Sequence, residues 1–132
     1  MSEEWGNRLE VGMDYPGAVI SVNHCYRHAN GRKYLKPQAK VWRTRLAESL
    51  GFLIIAAGLR DVPLSRDVRV RIDCAYVNEN EATDPDNLRK LTHDAIEEAL
   101  GINDRHYQPV RGAVTYGAQI PSITVTVFVR PR

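Results

Sequence analysis

Cysteine and long apolar runs are both scarce in this chain. The two cysteines, Cys25 and Cys74, fit neither a metal-ligand spacing nor a disulfide framework. The longest apolar stretch, Gly51 to Leu59, is too short to cross a bilayer and stops at Arg60. The first residues, Met-Ser-Glu-Glu-Trp, are acidic and lack the apolar segment of a secretory signal. Together these shortages predict a protein of the reducing cytoplasm with no membrane role. There is no phosphate-binding glycine loop and no serine in a nucleophile elbow, so neither ATP nor acyl chemistry is expected. A further absence is local: from Tyr15 to Ala47 the chain has no Asp or Glu at all.

What is present suffices for one folded domain. Of 132 residues, 43% are hydrophobic and 26% charged, which excludes a disordered chain and supplies a single core. Residues 1–7 read as a loose tail and 8–132 as the domain. The net charge of +2 conceals a division. The acid-free stretch carries Arg27, Arg32, Lys33, Lys36, Lys40, Arg43 and Arg45. Between Asn78 and Asp104, eight acids stand against only Arg89 and Lys90. Such a split suits a basic surface for a polyanion beside an acidic site for cations, although two solvated faces that balance each other would look the same.

Periodicity predicts the elements. Arg8 to Tyr15 alternates weakly, as a strand does, and Tyr15-Pro16-Gly17 marks a turn before the short apolar run Ala18–Val22. Asn30-Gly31, between Tyr26 and Tyr34-Leu35, predicts a hairpin. Pro37 suits the first turn of a helix. Val41, Trp42, Leu46, Leu50, Leu53, Ile54 and Ala57 recur at helical spacing, which predicts a helix over 37–58 stopped by Gly58. From Asp67 to Val77, the residues Val68, Val70, Ile72, Cys74 and Tyr76 face one way and Arg69, Arg71 and Asp73 the other, a half-buried strand. Leu88, Leu91, Ala95, Ile96, Ala99 and Leu100 form one face of an amphipathic helix over 87–100, ended by Gly101. Val110 to Tyr116, and the alternation of Ile123, Val125, Val127 and Val129 with Thr124 and Thr126, predict the last two strands. The fold class is α+β, a mixed sheet with two main helices packed on it.

The chemistry concentrates in Thr83-Asp84-Pro85-Asp86-Asn87-Leu88-Arg89-Lys90. On an extended backbone, which Pro85 favours at Asp84, the carboxylates of Asp84 and Asp86 point to one side. Converging carboxylates repel unless a cation or proton lies between them, and Mg²⁺ prefers such oxygen ligands. Lys90 lies one helical turn after Asp86, where it could touch a phosphate oxygen, and Asp104 is a third candidate ligand in a polar loop. The same residues also admit a plainer role: Asp84 or Asp86 can cap the helix, and Lys90 can pair with Asp86 or Asp94.

In combination these residues resemble the RusA family of Holliday junction resolvases. Asp84-Pro85-Asp86-Asn87-Leu88, with Lys90 and Asp94, is similar to that family's Asp-x-Asp-Asn-Leu-x-Lys segment. Ile102-Asn103-Asp104 is similar to the loop that carries its third catalytic aspartate. Ser21-Val22-Asn23-His24-Cys25-Tyr26-Arg27 is similar to its Ser-x-Asn-x-x-Tyr-Arg segment, followed by the same basic hairpin and helix. The resemblance implies a RusA-like homodimer, a divalent-metal-dependent endonuclease of four-way DNA junctions in recombination and repair, cytoplasmic and associated with the nucleoid. It implies metal-binding or catalytic roles for Asp84, Asp86 and Asp104, with Mg²⁺ or Mn²⁺, and a catalytic or phosphate-contacting role for Lys90. DNA contacts are expected of Asn23 and Arg27 and of the basic Arg32, Lys33, Lys36 and Lys40. A nuclease of forks or flaps, or a non-catalytic DNA-binding dimer, would carry the same basic surface. The chain departs from the family pattern at Asn103, where many members have a second Asp, at His106 and Tyr107, where a Gln is common, and at Val19-Ile20, where Pro-Pro often stands.

Three further readings follow. A helix from Asn87 to Leu100 spans roughly 20 Å, and four residues fold back over at most about 13 Å, so Asp86 and Asp104 share one metal only under strain. Antiparallel pairing of this helix with its copy in a dimer would remove that strain. His24 and His28 could ligate a metal only on a helix, which the Asn-Gly turn disfavours, while His93 reads as a packing residue and His106 as a contact to water or phosphate. Tyr26 and Tyr34 interleave with the basic run and could stack on an unpaired base, whereas Trp42 continues the helical stripe into the core.

Overall fold

The computed structural model describes residues 6–14, 26–29, 32–35, 37–78 and 86–132. The Ala18–Val22 run, Asn23, His24, Cys25, the Asn30-Gly31 turn, Lys36 and Asp84 lie outside these residues. The elements run β1 (Asn7–Asp14), β2 (Tyr26–Ala29), β3 (Arg32–Leu35), α1 (Pro37–Ala56), β4 (Val68–Ala75), α2 (Asp86–Leu100), β5 (Tyr107–Val110), β6 (Val114–Thr115) and β7 (Ser122–Val129). This is an α+β chain with a mixed sheet and two helices.

The five-stranded sheet has the order β1-β7-β4-β5, with β6 also beside β4. β7 lies antiparallel between β1 (Asn7↔Val129 to Asp14↔Ser122) and β4 (Arg69↔Phe128 to Ala75↔Ser122). Its sequence, Ser-Ile-Thr-Val-Thr-Val-Phe-Val, is rich in β-branched residues that pack well on a pleated surface. The expected alternation holds for Ile123, Val125, Val127 and Val129, all fully buried, but the other face is covered too: Thr126 and Phe128 are also buried. β4 keeps the predicted pattern, with Val68, Val70, Ile72, Cys74 and Tyr76 buried.

The expected strand from Val110 to Tyr116 is two short strands instead. β5 pairs parallel with Val68–Arg71, β6 pairs parallel with Cys74 and Ala75, and Arg111–Ala113 interrupts them. At the break, the Asp73 carboxylate accepts the Ala113 N–H at 2.7 Å, so a side chain supplies the acceptor there. Pro109, which has no N–H to donate, stands in β5 on this sheet edge, where proline is tolerated.

β2 and β3 form the predicted hairpin, pairing Tyr26↔Leu35 through Ala29↔Arg32. α1 begins at Pro37 as expected and ends two residues before Gly58. Leu59 N–H donates to the Ile54 carbonyl and Gly58 N–H to that of Ile55, a Schellman ending with Leu59 and Ile54 buried together. Ala39, Trp42, Leu46, Leu50 and Ile54 enter the core, and the Trp42 indole N–H donates to the Asp14 carbonyl. Val41 and Ala57, expected in that stripe, are exposed: Val41 falls on the opposite side of the helix, and Ala57 lies past its end in the terminating turn. α1 packs against both α2 and β1. No helix among the described residues is long and apolar enough to cross a membrane.

Candidate active site

α2 buries Leu88, Leu91, Thr92, Ala95 and Ile96 against the core. That burial fixes which residues look outward: Lys90, Glu97 and Glu98 are exposed, and His93 and Asp94 partly so. Asp86 is the first residue of α2, one earlier than the periodicity predicts. Lys90 follows one turn later and forms no salt bridge with Asp94 among the described residues. The capping residue of α2 and the side chain of Asp86 lie outside what the structure describes, as does Asp84.

The other end of α2 brings Asp104 back toward the helix. Gly101, at φ 71°, takes the left-handed conformation that L side chains rarely adopt, and its N–H donates to the Glu97 carbonyl. The reversed chain then places the Asp104 N–H 3.2 Å from Glu97 Oε1. Asp104–His106 forms one 3₁₀ turn rather than an irregular loop. Asn103 caps it: the side-chain oxygen accepts the Arg105 N–H at 3.0 Å. An Asp oxygen could serve equally, so this departure from the family pattern preserves the turn. Tyr107 closes the loop by donating its hydroxyl to the Ile102 carbonyl at 2.6 Å. Its ring meets His93 edge-on, centroids 5.2 Å apart and planes at 80°.

The electrostatics follow from this packing. Burial lowers the His93 pKa below its ordinary 6.5; the Asp104 charge opposes the shift and the Arg89 charge adds to it. Burial raises the Tyr107 phenol, with the negative charges of Glu97 and Asp104 acting in the same direction. The Asp104 side chain forms no salt bridge among the described residues. It is a partly exposed carboxylate, not neutralised by a described cation, and as a hard oxygen donor it suits Mg²⁺ or Mn²⁺. Among the described residues no three His, Cys, Asp or Glu side chains gather as a metal site; Asp84 and the side chain of Asp86 lie outside them.

α2 runs 15 residues, about 22 Å, and the fold-back recovers part of that distance. Asp104 stands beside Glu97 and His93, about 10–16 Å along the axis from Asp86. Among the described residues of α2, the exposed ones, Lys90, Glu97 and Glu98, are charged.

Of the expected DNA-contacting residues, Arg27, Arg32 and Lys33 lie in one hairpin, with Arg27 opposite Tyr34, His28 opposite Lys33 and Ala29 opposite Arg32. Lys40 is exposed in the first turns of α1. His28 is on a strand, which removes the helical His24–His28 pair. His93, Glu97 and Tyr107 were not singled out as parts of the site. The one signal for them is spacing: His93 and Glu97 lie three and seven residues after Lys90, and Tyr107 three after Asp104.

No protein-family model matches the sequence. Individual proteins do. The chain is 30% identical over 124 residues to the crossover junction endodeoxyribonuclease rusA of Enterobacteria phage 82, covering 91% of this chain and 95% of that protein. The same identity and coverage relate it to the crossover junction endodeoxyribonuclease RusA of Escherichia coli K12 and of the O6:H1 strain CFT073. The chain belongs to the RusA family. Coverage on both sides extends the RusA match well beyond the aspartate segment, across the basic hairpin, both helices and the sheet.

Proposed function

We propose that this RusA-family chain resolves four-way DNA junctions by divalent-metal-dependent phosphodiester hydrolysis, acting as a homodimer at the nucleoid in the cytoplasm. The observation that carries the reading is the match, over 91% of this chain, to proteins named crossover junction endodeoxyribonucleases. The geometry supports it: α2 starts at Asp86, presents Lys90 to solvent, and receives Asp104 back along its side.

Asp84, Asp86 and Asp104 would hold Mg²⁺ or Mn²⁺, since their donors are all carboxylate oxygens. A bound divalent ion acidifies a water and offsets charge on the leaving oxygen. Lys90 places an exposed ammonium one turn from Asp86, where it can hold a phosphate oxygen and stabilise the charge that develops on it. The hairpin bearing Arg27, Arg32 and Lys33, with Lys40 on α1 and with Asn23 and Lys36, would grip phosphates without reading sequence. A four-way junction has approximate two-fold symmetry, so a two-fold dimer presents one site to each of two opposed strands.

Asp84→Asn tests the assignment. The variant should bind labelled four-way junctions at least as tightly as the parent and leave them uncut with Mg²⁺ present, because a ligand and one negative charge are lost together. Cutting at near the parental rate would sink the metal-site assignment. Preferential cutting of forks or flaps by the parent protein would keep the chemistry and change the substrate.

A further inference from the structure

α1 carries apolar residues on two opposite sides. One side, with Trp42, Leu46, Leu50 and Ile54, is core. The other side, diametrically across the helix, carries Val41, Arg45, Glu48, Phe52 and Ile55, and all five are exposed. Val41 is 56%, Phe52 78% and Ile55 57% exposed. A surface helix normally turns a polar face to water, and one that is apolar on both sides is normally covered on both.

The spacing within the stripe indicates what covers it. Its steps of four, three, four and three residues have heptad spacing, with apolar Val41, Phe52 and Ile55 flanking a charged centre of Arg45 and Glu48. The order of residues is self-complementary. When α1 meets a copy of itself antiparallel, centred between Leu46 and Ala47, Val41 falls opposite the copy's Phe52 and Arg45 opposite the copy's Glu48, and each pair recurs on the other side of the two-fold axis. A parallel arrangement would set Arg45 against Arg45 and Glu48 against Glu48. The outward face of α2, with Lys90, Asp94, Glu97 and Glu98, has no such apolar seam. Beside the stripe, a cleft of about 410 Å³ between α1 and β1, bordered by Glu10, Gly12, Ser49 and Phe52, continues the surface onto the edge strand.

We propose that this stripe of α1 is the surface on which a second copy of the chain docks, helix against helix and antiparallel. The proposal rests on the dimeric reading given above and adds its location. It replaces the α2 pairing suggested by helix length with a pairing that has both apolar contact and matched charge.

Sedimentation equilibrium of the full chain tests it. The parent protein should be a dimer. Phe52→Glu should raise the dimer dissociation constant about a hundredfold, since two buried phenylalanines per dimer are lost. Arg45→Glu alone should raise it about tenfold, by making both cross-pairs like-charged. Adding Glu48→Arg to Arg45→Glu reverses both signs and should restore the parental value. Rescue by the double swap is an effect that a merely misfolded single variant would not produce. A parent dimer that Phe52→Glu and Arg45→Glu leave intact would overturn the α1 interface while preserving the dimeric reading. A parent protein that is monomeric yet cuts junctions would overturn both.

Discussion

Tyr107 ties the Asp104 loop in two directions, by its hydroxyl to Ile102 and by its ring to His93. Tyr107→Phe keeps the ring contact and removes the hydrogen bond, at a cost of about 1 kcal/mol in stability. Junction cutting should fall while junction affinity stays at the parental value, because the loop that positions Asp104 is loosened and the basic hairpin is untouched. Equal cutting by parent and variant would show that the hydroxyl does not position the loop. His93 gives a prediction in pH. Burial holds its pKa below 6.5, so the folded state favours the neutral ring. The unfolded chain binds the extra proton as pH falls below 6.5, so this contribution to stability is full above that value and is lost through the lower folded pKa. Metal-free melting curves between about pH 7.5 and about pH 5 should show the loss, and His93→Phe should reduce its slope. An unchanged slope in the variant would assign the acid sensitivity to other groups. Asp84, Asp86, Lys90 and Asp104 were legible as candidates because their chemistry shows in residue type and spacing. Glu97 and Tyr107 are not legible in that way, because the turn at Gly101 is what brings Glu97 to Asp104 and the Tyr107 ring to His93.

Elements with one clear period were legible. β4 alternates and half-buries as its sequence indicates, and α2 has a single apolar face. α1 misled at Val41, because a seam on its outer side adds apolar residues that a single-face reading assigns to the core. The β5–β6 break was hidden for another reason: it depends on Asp73, forty residues away in sequence, supplying an acceptor to Ala113. It depends also on Gly112, where an added Cβ would lie far inside contact distance of the Ile72 carbonyl oxygen. Gly112→Ala must therefore push two backbones apart, and it should destabilise the protein by about 2 kcal/mol or more. A denaturant midpoint equal to the parent's would show that the loop yields without cost.

At the scale of the molecule, charge and identity agree. The acid-free run places Arg27, Arg32 and Lys33 on one hairpin, and junction affinity should decline with a log–log salt slope of about −0.9 per phosphate neutralised. Arg32→Glu with Lys33→Glu should weaken binding to all DNA alike and flatten that slope, and unchanged binding would move the DNA surface elsewhere. The decisive activity is junction resolution. Its most direct test is to incubate the full chain with end-labelled four-way junction and with duplex of the same sequence, with Mg²⁺ and with chelator, and to map the nicks. Paired nicks at symmetric positions on opposed strands of the junction, absent from duplex and absent with chelator, are the predicted result. An uncut junction in Mg²⁺ or Mn²⁺ that is nonetheless bound tightly would contradict it.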